Sequence, residues 1–189
     1  MPLEGYTPMF EKMLDHPNIT VELGVDARDR VKLENGQVFL DGAAFTCPVI
    51  YTGPADELFD CRFGRLPYRT LDFAFETLAQ DEYQPCGTVN YTVSEDFTRI
   101  TEFKHLTGQE LPGKTTIVRE YSRAYTGEKG ETPYYSIISP ENNALYGQYK
   151  ALAGGFGNLH LLGRLAEYKY YNMDAIVGQA LALADTLMK

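Results

Sequence analysis

YRTLDFAFETLA, residues 68–79, is a strand-like run, and four more follow it: GTVNYTVS (87–94), TRITEFKHL (98–106), KTTIVREYSR (114–123) and TPYYSII (132–138). Short runs rich in β-branched and aromatic residues, with turn residues between them, predict an antiparallel sheet with one exposed face over residues 60–138. The flanks on either side read as helix and strand in alternation.

On the amino-terminal side, Thr7 as cap, Pro8 in the first turn and a stripe of Met9, Phe10, Met13 and Leu14 predict a helix that Asp15, His16 and Pro17 stop. ITVELGV (19–25) alternates as a half-buried strand does. RVKLENGQVFLDG (30–42) reads as a hairpin, with Asn35 and Gly36 supplying the positive φ angles of a tight turn. CPVIYTGP (47–54) reads as a buried strand. On the carboxyl-terminal side, Ser139 and Pro140 start a helix that turns Ala144, Leu145, Tyr149 and Leu152 inward until Gly154 and Gly155. NLHLLGR (158–164) is a further buried strand. A last helix starts at Asn172 or Met173, with Ile176, Val177, Ala180, Leu181, Ala184 and Leu187 at helical spacing. The order predicts α/β layers at both ends with an inserted antiparallel β-sheet, an α+β arrangement.

The 189 residues are 44% hydrophobic and 23% charged, enough for a good core, and carry a formal net charge of −9. That balance disfavours general affinity for nucleic acid or an anionic membrane, although clustered arginines can still hold a phosphate. No apolar run approaches the roughly 20 residues that span a bilayer, and MPLEGYTPMF lacks signal-peptide features, so the expected location is cytoplasmic. Cys47, Cys61 and Cys86 read as reduced thiols, and neither they nor His16, His105 and His160 have metal-ligand spacing. Tyrosine is unusually frequent, at 14 residues with no tryptophan. Several tyrosines sit beside arginine, asparagine or glycine, which suits sugar and phosphate recognition as well as a twisted sheet.

There is no GxGxxG turn, phosphate-binding P-loop, GxSxG nucleophile or paired-histidine metal motif. The polar groupings that remain are three. GRLAEYKYYNMD (163–174) places Gly163, Arg164 and the amides near Asn172 and Met173 where a strand ends and a helix begins, a place that suits an anion or an ordinary cap. VNYTVSEDFTRI (89–100) puts Asn90 and Arg99 at opposite ends of a hairpin, where Arg99 offers a forked donor to a diphosphate or pairs with Glu95 or Asp96. In PYYSI (133–137), Tyr134 and Tyr135 point to opposite faces of a strand.

Several stretches, in order, resemble the carboxyl-terminal half of the UDP-galactopyranose mutase family. They are GYTPMFEKML (5–14), VIYTGPADELFD (49–60), GRLPYRTLDF (64–73), VNYT with TRITEFKH (89–105), TTIVREYS (115–122), PYY (133–135) and GRLAEYKYYNMD (163–174). The resemblance implies a flavin-dependent isomerase that interconverts UDP-galactopyranose and UDP-galactofuranose through a flavin N5–sugar adduct. FAD in its reduced form is the cofactor, and UDP-galactose or UDP the ligand. It implies a partial FAD-binding dinucleotide fold over 1–59, returning at 139–189, with residues 60–138 as the substrate-binding sheet.

By resemblance, Arg99 neutralises the diphosphate near the sugar and Asn90 lies beside the sugar. Tyr6, Tyr135 and Tyr170 face the diphosphate, with Tyr134 the alternative to Tyr135, and Asn172 stands where many members have aspartate. Gly163, Arg164 and the Met173 backbone face the flavin and its pyrophosphate. The segment between Asn90 and Arg99 is one residue shorter than the family pattern, and Ser136 stands where proline is usual. The family's glycine-rich amino-terminal portion has no counterpart in these residues, so the chain is expected to be inactive alone, not to retain FAD, and to self-associate through exposed apolar surface. A non-catalytic module binding a nucleotide sugar or a protein is the alternative.

Overall fold

A computed structural model describes residues 2–189 of the chain. In chain order the elements are α1 (Tyr6–Leu14), α2 (Ala27–Arg30), β1 (Val31–Glu34), β2 (Gln37–Leu40), β3 (Ala43–Phe45), β4 (Val49–Tyr51), α3 (Ala55–Leu58) and β5 (Tyr68–Leu78). There follow β6 (Thr88–Asn90), β7 (Arg99–Glu102), α4 (Phe103–Thr107), β8 (Thr115–Ala124), β9 (Tyr135–Ser136), α5 (Pro140–Ala153), β10 (Leu159–Leu161) and α6 (Met173–Leu187). They form two compact units: the chain up to Gly24 with Leu71–Arg123, and Val25–Thr70 with Ala124–Lys189.

The first unit holds the expected antiparallel sheet, in the order β6-β7-β8-β5, and the opening residues of β5 continue into the second unit to pair with β9. Its buried apolar centre is small, with Ile100 from β7 and Ile117 and Val118 from β8. Polar side chains share that interior. Glu102 is fully buried and Thr115 nearly so, which is possible only because they hydrogen-bond each other and nearby backbone amides.

The second unit has the larger core, in which Val38, Phe59, Leu66, Tyr68, Tyr149, Phe156 and Tyr168 meet. Each of the three core tyrosines satisfies its hydroxyl on the backbone. Tyr68 donates to Leu165 O (3.1 Å), Tyr149 to Gly64 O (2.6 Å) while accepting from Phe63 N (2.9 Å), and Tyr168 to Pro67 O (2.7 Å). β4 and β10 form a parallel pair, Val49 opposite Leu159 and Tyr51 opposite Leu161, joining the two flanks of the sequence. Helices and antiparallel sheets together make this an α+β chain.

Several local expectations hold. Asn35 and Gly36 take φ of 50° and 77° between β1 and β2, and the Ser139 hydroxyl caps α5 by accepting from Asn142 N at 3.1 Å. The three cysteines are free thiols.

Others need correction. Residues 19–25 form no strand and join none of the three sheets, because alternation without a neighbouring strand leaves the backbone with no ladder to enter. Thr7 lies inside α1, which starts a residue earlier because Gly5, at φ 87°, turns the chain into the helix without a side-chain cap. The run TRITEFKHL changes from strand to helix at Phe103, closed by Gly108 in the left-handed region. β9 is only two residues long. Ala144 faces outward and Tyr146 takes the half-buried place beside Leu145, while Ile50 of β4 is 48% exposed. In α6, Ile176, Leu183 and Leu187 are half-buried, but Val177, Ala180, Leu181 and Ala184 are exposed, against the inward face expected of them.

Candidate functional site

In the first unit the hairpin β6–β7 sets Asn90 directly opposite Arg99, and β8 sets Glu120 opposite Arg99 on the other side. The three side chains form a row across neighbouring strands. Arg99 Nε donates to Asn90 Oδ1 at 2.9 Å, and Nη1 lies 3.6 Å from Glu120 Oε2. Arg99 therefore pairs with Glu120, not with Glu95 or Asp96. Asn90 fixes the plane of the guanidinium, Glu120 offsets part of its charge, and Nη2 is left for an incoming oxygen. The connecting loop is closed by Tyr91 and Phe97, edge to face at 4.8 Å. Tyr6, the first residue of α1, presents a partly exposed ring and makes no hydrogen bond to Asn90 or Arg99.

In the second unit, GRLAEYKYYNMD separates by burial into framework and surface. Tyr168 and Tyr171 are buried, whereas Tyr170 is 64% exposed. The Arg164 guanidinium lies over the Tyr170 ring, 4.5 Å from its centroid, and Arg164 Nε donates to Tyr171 O at 2.7 Å. Tyr170 in turn stacks on Tyr135, with centroids 6.2 Å apart and planes 24° from parallel. Tyr134 is tilted against Tyr135 at 6.5 Å. The result is a ladder of one cation and three phenol rings. Its surface end can meet phosphate oxygens with hydroxyl donors and positive charge.

Gly163 precedes this ladder at φ 101°, a conformation that favours glycine, and no atom lies within 4 Å of where a side chain would start. Asn172 is the N-cap of the 15-residue α6, but its side chain makes no cap hydrogen bond, and Met173 beside it is exposed. The first turn thus keeps amide donors at its positive end, with Asp174 adding a negative charge nearby.

The structure thus joins Asn90 with Arg99, and Arg164 with Tyr170 and Tyr135. The sequence reading missed three residues. Glu120 lies 21 positions from Arg99, too far for local pairing to reveal. Tyr171 contributes its backbone carbonyl, which carries no side-chain signature. Glu167 accepts from Gly163 N at 3.0 Å, and its four-residue spacing from Gly163 was the available sign. Burial, then the neighbouring Glu167 carboxylate, push the Tyr171 phenol up to about 12.

Comparison with known proteins adds sequence evidence to this geometry. Residues 1–170 match the family model described as UDP-galactopyranose mutase. Over its whole length the chain is 38% identical to the UDP-galactopyranose mutase of Mycoplasma pneumoniae and 34% identical to the dTDP-fucopyranose mutase of Escherichia coli, covering 48% of each. It is 35% identical to the UDP-galactopyranose mutase of Mycoplasma genitalium, covering 47% of it. The chain spans about half the length of the curated relatives it matches.

Proposed function

The chain belongs to the UDP-galactopyranose mutase family, and from that premise we propose that it is the carboxyl-terminal part of an isomerase interconverting UDP-galactopyranose and UDP-galactofuranose in the cytoplasm. The observation that carries this reading is the Asn90–Arg99 pair, a pre-oriented guanidinium with a free donor within a chain that matches the family over residues 1–170. No helix among the described residues is long and apolar enough to cross a membrane.

We assign the sheet region 60–138 to the substrate. Arg99 neutralises a diphosphate oxygen, Asn90 holds Arg99 and the sugar, and Tyr6, Tyr135 and Tyr170 offer hydroxyl donors to the diphosphate. Such groups work by orienting the sugar nucleotide and stabilising charge on the departing diphosphate. We assign 1–59 and 139–189, including the parallel β4–β10 pair, to part of an FAD-binding dinucleotide fold. The empty space beside the Gly163 α-carbon, the Arg164 guanidinium and the uncapped amides around Met173 fit a flavin and its pyrophosphate. Reduced FAD, when bound, supplies the nucleophilic chemistry at the anomeric carbon. This chain's residues hold and place the partners.

The Escherichia coli relative's name supports a second nucleotide, dTDP, carrying a different sugar. Titrating UDP and dTDP into the 189-residue chain by calorimetry tests both readings. Saturable binding that weakens about 10- to 100-fold in Arg99→Ala is expected, the scale of one charge-assisted hydrogen bond. Unaltered affinity in Arg99→Ala would overturn the assignment.

A further inference from the structure

Glu167 has no place in the roles assigned above, yet it touches both ends of the segment that carries Arg164 and Tyr170. Its Oε2 accepts from Gly163 N at 3.0 Å and its own N donates to Gly163 O at 2.9 Å, a reciprocal pair that closes the turn just before Arg164. The carboxylate also lies near enough to the buried Tyr171 to raise its phenol pKa, while the Tyr171 hydroxyl donates to Gln179 Oε1 at 3.5 Å. Tyr171 is the residue whose carbonyl receives Arg164 Nε. One side chain therefore closes the turn just before Arg164 and neighbours the residue whose carbonyl orients its guanidinium.

Arginine needs such a frame because its long side chain otherwise samples many rotamers, and ordering them on binding costs affinity. The guanidinium over Tyr170 is set by two constraints, the Tyr171 carbonyl and the ring face. Both depend on the path of the chain from Gly163 to Tyr171. Lys169 N to Arg164 O at 3.1 Å tightens the same turn.

We propose that Glu167 is a positioning residue that presets the Arg164–Tyr170 pair for its anionic ligand. The ligand part of this inference rests on the assignment of Arg164 and Tyr170 to the site; the positioning part stands on the geometry alone. Glu167 works through hydrogen bonds and not through contact with the ligand, so its amide analogue preserves much of its effect.

The test is proton–nitrogen NMR of arginine Nε–H groups in the 189-residue chain, with the Arg164 signal assigned from Arg164→Lys. The wild-type signal is expected to exchange slowly and to be shifted by the Tyr170 ring. Glu167→Ala is expected to broaden or abolish it and to weaken UDP binding about tenfold, while Glu167→Gln, which can still accept from Gly163 N, retains both. An unchanged Arg164 signal in Glu167→Ala overturns the proposal. A lost signal with unchanged UDP affinity upholds positioning by Glu167 and overturns the assignment of Tyr170 to the substrate diphosphate. Should Glu167→Ala not fold, Glu167→Asp decides, its side chain being one methylene too short to keep the bond to Gly163 N: a broadened Arg164 signal supports the proposal and an unaltered one overturns it.

Discussion

Replacing Glu102 by glutamine should destabilise the first unit at neutral pH and lose that effect in acid. Glu102 ends β7 with its carboxylate fully buried. It accepts from Tyr83 N (3.1 Å), Gln84 N (2.9 Å) and Thr115 Oγ1 (2.5 Å), with His105 Nε2 at 3.4 Å. Burial is the largest single influence and opposes ionisation. The hydrogen bonds from Thr115, Gln84 and Tyr83, with His105, outweigh it together and hold the carboxyl below the ordinary glutamate range.

A glutamine of the same shape has one accepting oxygen and turns an NH2 toward donors, so at least one strong bond is lost. Hydrogen bonds to a charged group contribute about 1.5–3 kcal/mol, which for a urea slope of about 1–3 kcal/mol per molar moves the midpoint by about 1 M at pH 7. Because the folded carboxyl is depressed, its stabilisation is present above the unfolded value of about 4.3 and disappears as pH falls through the folded value. Urea melts followed by circular dichroism at pH 7 and near pH 3 should show a large gap between wild type and Glu102→Gln, then a small one. Equal gaps at both pH values, or none at pH 7, would mean that the ionised Glu102 carboxylate does not stabilise this unit.

Tyr149→Phe removes a buried hydroxyl that bridges Phe63 N and Gly64 O, so two hydrogen bonds are lost at once. Thermal melts should show a loss of about 1–3 kcal/mol, and an unchanged Tm would contradict this. The exposed Val177 and Leu181 of α6 and Phe10 and Met13 of α1 predict self-association. Light scattering should find dimers or larger species, reduced in Leu181→Glu; a monomer for the parent chain counts against it. The 189 residues contain no glycine-rich dinucleotide turn, so the chain expressed alone should be colourless, without the absorbance of bound flavin.

Local signals were the legible ones. Asn35–Gly36 needs only two positive φ angles, and Ser139–Pro140 needs only a cap and a fixed φ; neither depends on distant chain. Residues 19–25 misled because alternation describes a strand's faces but cannot provide its partner. Phe103–Thr107 continued a strand pattern in sequence, yet Gly108 marked a helix end that the pattern concealed. In the candidate site, Asn90 and Arg99 were legible because a hairpin brings them opposite each other. Glu120 was not, since only the pairing of β7 with β8 delivers it. The tyrosines were the hardest to sort. Tyr168, Tyr170 and Tyr171 share one short stretch, and nothing local in it marks which two pack inside and which one faces outward.

Whether Arg99, held by Asn90, receives a nucleotide diphosphate is decided by titrating UDP into the wild-type chain and Arg99→Ala side by side in a calorimeter. Saturable binding with a Kd at or below about 1 mM is expected for the wild type, weakened at least about tenfold in the variant, with unchanged circular dichroism. Equal UDP affinity in the two proteins, or no binding by the folded wild type, would contradict it.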